Sequence, residues 1–366
     1  MSTVFIIHTR LDSLLSGKYQ YIERIGVYRN FLKQNMNHEI SIILYAWTSD
    51  IKLQSIGSHE NIFKKIKPSN IIKDLRDLKT RISVSNKPII VLGDNYWSWI
   101  VVFWLKLSLG GNLPTQISIH NSPDFREFRT FPSKLLRKMW LRFTLRIVDS
   151  IRLVNLEQLS LIPENVREKC VVSPIIFEIP INISHISSRV VGFSGRIHNE
   201  RGLDEWAEIV RKTFEKSDPF GILILGEGDD SQSFFDKLHN ISNLDVNIPG
   251  YLLGNNYFSN LNKVGVLLSC AKNESYGVSI RQAACLGIPV VARKNIKTQE
   301  LAFKYPSLFY IYESIPSAVE RLSHILKGSY EVNKVEVEEL YSDLLQERDS
   351  SLRSLISSWL KLSNKN

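Results

Sequence analysis

With 366 residues, 43% of them hydrophobic and 23% charged, the chain is long enough for two domains and can bury a core in each. Cys170, Cys270 and Cys285 form no C-x-x-C pair and do not cluster with His, which excludes a disulfide framework or zinc site and suits a reducing compartment. The net charge of +9 lies in the first half, where residues 1–180 hold 25 Lys and Arg against 15 Asp and Glu, leaving −1 for the rest; an acidic surface or ligand is expected to meet that half.

The opening MSTVFIIHTR has no basic flank and too short an apolar run for a signal peptide, so the sequons at Asn182 and Asn240 read as accidental. Val4–Ile7, Glu39–Tyr45, Pro88–Leu92, Gln116–Ile119 and Ser150–Val154 are short apolar runs predicted as strands. Tyr21–Gln34 and Trp97–Leu109 are predicted helices between them. Tyr96–Leu109 is the most apolar stretch, but it carries Lys106 and falls short of a bilayer span. It reads as a buried helix, with an interfacial segment as the alternative, and no transmembrane helix is predicted. Arg126–Arg152 holds eight Lys and Arg against two acids. Lys134, Lys138, Arg142 and Arg146 recur every four residues and would share a helix face. Leu136, Trp140, Phe143 and Ile147 would lie on another. Such a basic amphipathic helix suits an anionic membrane surface; the alternative is a solvated face over a packed one. Its aromatics are not interleaved as a stacking platform, so nucleic acid is not expected.

A polar stretch, Glu178–Ser188, separates the halves. The pattern then restarts with predicted strands at Arg189–Ser194, Phe220–Leu225, Leu244–Ile248, Val264–Ser269 and Ile288–Ala292. Predicted helices are Leu203–Glu215, Gln232–Asn240 and Val278–Leu286. Alternation of this kind implies two doubly wound, Rossmann-like α/β domains in tandem, which face a central cleft and bind ligand beyond the carboxyl ends of their strands. The predicted domains are 1–180 on the acceptor side and 185–345 on the donor side. Val335–Leu362 is a long helical pattern whose last part, about 346–366, packs back on the first domain.

Three short motifs carry chemistry. In Asn273–Ala292 (NESYGVSIRQAACLGIPVVA) a buried strand ends in polar residues, Gly277 permits a turn, and a helix starts near Val278. That geometry aims backbone N–H groups and a positive helix end at one point, as a phosphate needs. Glu274 and Gln282 flank the turn and could meet sugar hydroxyls; the alternative is two solvated residues at a helix end. Phe193–Gly202 (FSGRIHNERG) places Gly195, Arg196 and Arg201 at a strand's carboxyl end. Two guanidiniums there suit a diphosphate, unless they are plain surface arginines. Leu223–Asp229 (LILGEGD) ends a strand in G-x-G at Gly226. It lacks the third glycine of a dinucleotide fingerprint and reads as a turn at the cleft rim.

In order and spacing these runs resemble the donor domain of retaining GT-B glycosyltransferases of glycosyltransferase family four (glycosyl transferases group 1), over about 110 residues. The resemblance implies that Arg196 and Arg201 hold the donor diphosphate, with Arg201 in place of the family's Lys. Glu274 would bind hydroxyls of the donor sugar. The backbone of Tyr276, Gly277 and Val278 would meet the phosphate, and Gly195, Gly226 and Ser275 would also belong to the donor site. Gln282 stands where the family has a ribose-binding Glu, so a neutral amide replaces a charged acceptor. Glu300 falls where the family has a further acid. His120 matches the family's histidine near the donor sugar; the alternative is a structural histidine. The loop HTRLDSLLSGKYQYIERIG has only Gly17 before Lys18 where many relatives have Gly-Gly, so the acceptor side is not assigned.

The implied function is metal-independent transfer of a hexose, with retention, from a nucleotide sugar (UDP favoured) to a glycan or lipid-linked acceptor in cell-surface polysaccharide synthesis. It would take place in the cytoplasm or at the cytoplasmic face of the inner membrane. No cofactor is expected, the nucleotide sugar being a co-substrate. Asp229-Asp230 reads as a polar turn rather than a metal motif, and no protein base is predicted. The reading from a different class is a non-catalytic GT-B partner of an active enzyme.

Overall fold

The computed structural model describes residues 2–8, 17–35, 40–55, 58–92, 98–119, 139, 142–180, 188–239, 241, 244–272, 274 and 276–364. The chain divides into two compact units, Met1–Ile176 with Arg348–Asn366, and Phe177–Glu347.

The first unit runs β1 (Ser2–His8), α1 (Gly17–Asn35), β2 (Ile40–Thr48), α2 (Ile51–Ser55), β3 (Asn61–Lys65), α3 (Ile71–Ser83), β4 (Pro88–Leu92), α4 (Ser98–Ser108), β5 (Thr115–Ile119), α5 (142–147), β6 (Ser150–Leu153) and β7 (Cys170–Val172). Its sheet has the order β3-β2-β1-β4-β5-β6-β7, and every pairing is parallel. Parallel strands need crossovers, so helices cover both faces. One face buries Ile25, Tyr28 and Leu32 of α1. The other buries Leu78 and Ile82 of α3 and Val101, Val102 and Leu105 of α4. The edge strands β3 and β7 were not foreseen: NIFKK is polar and only part-buried, and CVV is three residues long.

The second unit runs β8 (Val190–Ser194), α6 (Leu203–Phe214), β9 (Gly221–Leu225), α7 (Ser231–His239), β10 (Asp245–Gly250), α8 (Gly254–Leu261), β11 (Val266–Ser269), α9 (Val278–Cys285), β12 (Val290–Arg293), α10 (Ile296–Lys304), β13 (Phe309–Tyr312) and α11 (Ile315–Leu326). Its strand order is β10-β9-β8-β11-β12-β13, again parallel throughout. The order reverses between β8 and β11, and a crevice opens beyond the carboxyl ends at such a point.

The last helix, α12 (Lys334–Ser363), serves both units. Leu340 and Leu344 enter the core of the second. Leu352, Leu355, Ile356, Trp359 and Leu362 enter that of the first. There Gln116 Nε2 donates to Ser358 Oγ (2.9 Å) and Trp359 Nε1 donates to Gln116 Oε1 (2.8 Å). A buried amide with both ends satisfied specifies where this helix seats.

Two expectations for the first unit need correction. The stretch around α4 is not wholly buried: Val101, Val102 and Leu105 face the core, while Ile100, Phe103 and Leu107 are exposed. The basic pattern of 126–152 is not one helix either. α5 ends at residue 147, and Arg152 lies buried in β6. It donates there to Tyr28 Oη and to the Ser173 and Pro174 carbonyls. Within α5 it is Leu145 that is buried, while Phe143 is exposed, because the core lies one position round from the expected apolar face. Among the described residues no helix is long and apolar enough to cross a membrane.

Candidate active site in the second unit

The switch point of the second sheet collects three loops. The first leaves β8 through Gly195. The second leaves β9, and its two glycines serve packing. A Cβ on Gly226 would come within 1.9 Å of the Gly195 carbonyl oxygen, and one on Gly228 within 2.0 Å of the Ile197 carbonyl oxygen. Backbone therefore lies on backbone, tied by Gly195 N–H to Leu225 O (2.9 Å) and Ile197 N–H to Glu227 O (3.0 Å). The G-x-G run shapes the loop bearing Arg196 and Arg201.

The third loop leaves β11 and holds Glu274. Its carboxylate is 6% exposed and accepts from Arg201 Nη1 at 2.7 Å. Seventy-three residues separate the two in sequence, and the fold joins them into one charged pair. Arg196 is not part of that pair. It is more exposed and pairs with Glu200 of its own loop at 3.1 Å.

Gly277 starts α9 with φ of 77°, a left-handed conformation that only glycine adopts without strain. Glycine at the N-cap position offers no side-chain cap. Among the described residues no side chain accepts from the first-turn N–H groups, which carry the positive helix end. The preceding residue is held from below: Tyr276 Oη donates to Glu347 (2.6 Å), and Arg281 lies 4.4 Å over its ring while Nε donates to the Tyr276 carbonyl (2.9 Å). Burial first, with Glu347 adding to it, pushes the Tyr276 hydroxyl well above its ordinary pKa. It acts as a neutral anchor for the turn.

Gln282 is not an open amide at the helix surface. It is 7% exposed; Nε2 donates to the Glu178 carbonyl at 2.8 Å, and Oε1 accepts from Tyr257 Oη at 3.3 Å. Tyr257 Oη also lies 2.8 Å from Ser194 Oγ at the end of β8. Burial pushes this phenol up to about 12, against the Ser194 hydrogen bond. Glu300, on α10, is exposed and pairs with Lys297 at 2.9 Å.

A second polar cluster was missed in the sequence. Glu205, in the first turn of α6, binds both Arg293 at the end of β12 and the Tyr312 hydroxyl at the end of β13. Cys270 is buried, and that burial pushes its thiol up to about 12, against the influence of Tyr312. Trp206 Nε1 donates to the Leu268 carbonyl at 3.1 Å. These contacts fasten the start of α6, and with it Arg201, to β11–β13. The one available signal was a charged residue directly after the apolar run IPVVA.

His120, Ser275, Lys134 and Lys138 lie outside the described residues, as does most of the loop after β1. Arg142 and Arg146 are exposed on α5.

Residues 188–305, which contain this whole arrangement except Glu178, Tyr312 and Glu347, match the family model for glycosyl transferases group 1. A comparison with curated proteins finds no match. Solved structures align along much of the chain. HepE of Anabaena, in complex with UDP and glucose, aligns over 97% of this chain and 99% of its own, with 11% identity and a TM-score of 0.69. Sucrose-phosphate synthase of Thermosynechococcus elongatus aligns over 100% and 97%, with 12% identity and a TM-score of 0.66. A mutant of S. aureus TarM, in complex with Fondaparinux, alpha-GlcNAc-glycerol and UDP, aligns over 79% of this chain at 16% identity and a TM-score of 0.60. The alignment spans 58% of that longer protein. At such identities the likeness is one of fold. The fold is α/β of the GT-B class, with two doubly wound parallel-sheet domains.

Proposed function

We propose that this chain is a glycosyltransferase that takes a hexose from a nucleotide sugar, UDP-linked by preference, and passes it with retention to a glycan or lipid-linked acceptor of cell-surface polysaccharide synthesis. One observation carries the reading: the Arg201–Glu274 pair stands beside the glycine-led start of α9, at the switch point of the sheet, within the segment that matches glycosyl transferases group 1. A guanidinium has five N–H donors. Arg201 spends Nη1 on Glu274, so other donors remain for a phosphate oxygen. Glu274 retains acceptor capacity for sugar hydroxyls. Arg196 and the backbone N–H groups of the first turn of α9 add donors where charge grows on the leaving diphosphate. These groups meet that charge without a metal, and no cofactor is assigned. The donor's own phosphate oxygen assists deprotonation of the acceptor. His120 is proposed beside the donor sugar, and the protein works in the cytoplasm, peripherally at the inner membrane.

The test is a thermal-shift screen of the full chain with UDP, GDP and their common sugar conjugates, followed by an assay for released nucleotide. Stabilisation by a nucleotide and its release from the sugar conjugate are expected. A flat screen would overturn the donor-site reading. A second reading, a non-catalytic GT-B partner, is favoured by the neutral Gln282, bonded at both its Nε2 and its Oε1. Nucleotide binding without release or transfer would select it.

A further inference from the structure

The face of the first sheet covered by α3, α4 and α5 presents an unusual outer surface. Among the described residues the exposed large apolar side chains concentrate in the first unit; only Ile296, Phe303 and Val335 belong to the second. α4 turns Ile100, Phe103 and Leu107 outward, at i, i+3 and i+7, and Leu107 is 69% exposed. Phe143 of α5 meets Phe103 edge-on, 5.9 Å between ring centroids, and Met139 lies exposed one turn earlier. This apolar strip has basic borders. Ile72, Lys73 and Arg76 are exposed on α3, which packs beside α4, and Arg142 and Arg146 are exposed on α5. None of these four cations has an acidic partner among the described residues. The acids of α3 are already engaged: Asp74 is buried under Trp47 Nε1, and Asp77 pairs with Lys64 and Arg81. α4 and α5 contain no acid.

An apolar strip edged by cations that have no acidic partner among the described residues matches the chemistry of an anionic bilayer surface, where apolar side chains enter the headgroup region and cations meet phosphates. The basic excess of the whole chain lies in the same half. We propose that the α3–α4–α5 face seats on an anionic lipid bilayer, through Ile100, Phe103, Leu107 and Phe143 with Lys73, Arg76, Arg142 and Arg146. This rests on the membrane part of the reading above and supplies its surface; it does not depend on what the second unit binds.

The experiment is flotation of the full chain with vesicles of phosphatidylcholine alone, or of phosphatidylcholine mixed with phosphatidylglycerol, at low ionic strength. Binding to the mixed vesicles only is expected. Each cation near the surface contributes about a fivefold change in partitioning, so Arg142→Ala with Arg146→Ala lowers binding by roughly tenfold or more. Phe103→Ser with Leu107→Ser lowers it without changing charge. Phe303→Ser, at a side chain 92% exposed in the second unit, leaves it unchanged. Failure to float with the mixed vesicles, equal binding to both kinds, or an equal loss with Phe303→Ser overturns the proposal. So does self-association in the absence of lipid that Phe103→Ser with Leu107→Ser abolishes, which gives the face to a second copy. The UDP thermal shift, measured on the same variants, reports on the donor site separately.

Discussion

Replacing Gln282 by Glu puts back the carboxylate of the family pattern, yet the structure predicts harm. The Glu178 carbonyl can only accept, so the group facing it at 2.8 Å must be the amide N–H. A carboxylate has no donor to offer. The substitution removes the donor to that carbonyl and places a negative charge at a site 7% exposed, where among the described residues no cation is bonded to residue 282. The expected cost is about 2–4 kcal/mol at pH 8. For a unit of this size that lowers the melting temperature by about 5–15 °C. Burial raises the pKa of the new carboxyl above its unfolded value of about 4.3. Below that value both states are protonated and the penalty is small. It grows as pH rises through the raised folded value and is full above it. Melting followed by circular dichroism at pH 5 and pH 8 should therefore show a gap from wild type that widens with pH. UDP affinity should not improve. A variant that melts within a degree of wild type at pH 8, or binds UDP more tightly, would refute the argument and place the side chain at the ribose instead.

Glu274→Ala should retain the fold, since Arg201 is partly exposed and can be solvated, but lose detectable release of nucleotide from the donor; full activity would remove Glu274 from the site. Gly226→Ala forces a Cβ against the Gly195 carbonyl and should cost about 3 kcal/mol or more in urea unfolding, with nucleotide binding weakened as well. Trp359→Ala empties a fully buried position and strands the side-chain amide oxygen of Gln116. It should cost about 3–5 kcal/mol, read as a lower melting transition, while the UDP shift of the second unit persists.

Alternation of apolar runs with helical patterns was enough to indicate two parallel α/β domains, because buried parallel strands must be apolar and their crossovers must be helical. Most central strands were legible for that reason. The edge strands β3, β7 and β13 were not: Asn61–Lys65 is polar, Cys170–Val172 is three residues long, and Phe309–Tyr312 had no flanking signal that separated it from α10 and α11. Gly277 and the helix after it were also local, since a left-handed turn at a strand end needs only its own residues. Partnership was not local. That Arg201 rather than Arg196 meets Glu274, that the glycines after β9 pack on the loop after β8, and that Gln282 satisfies Glu178 and Tyr257 all depend on segments brought together across the sheet. The same holds for α4. Its apolar composition was plain in the sequence, but which of its apolar residues are buried was decided by the sheet beneath it, which takes Val101, Val102 and Leu105 and leaves Ile100, Phe103 and Leu107 exposed. Sequence period sets which residues share a face; only the tertiary structure sets what that face meets.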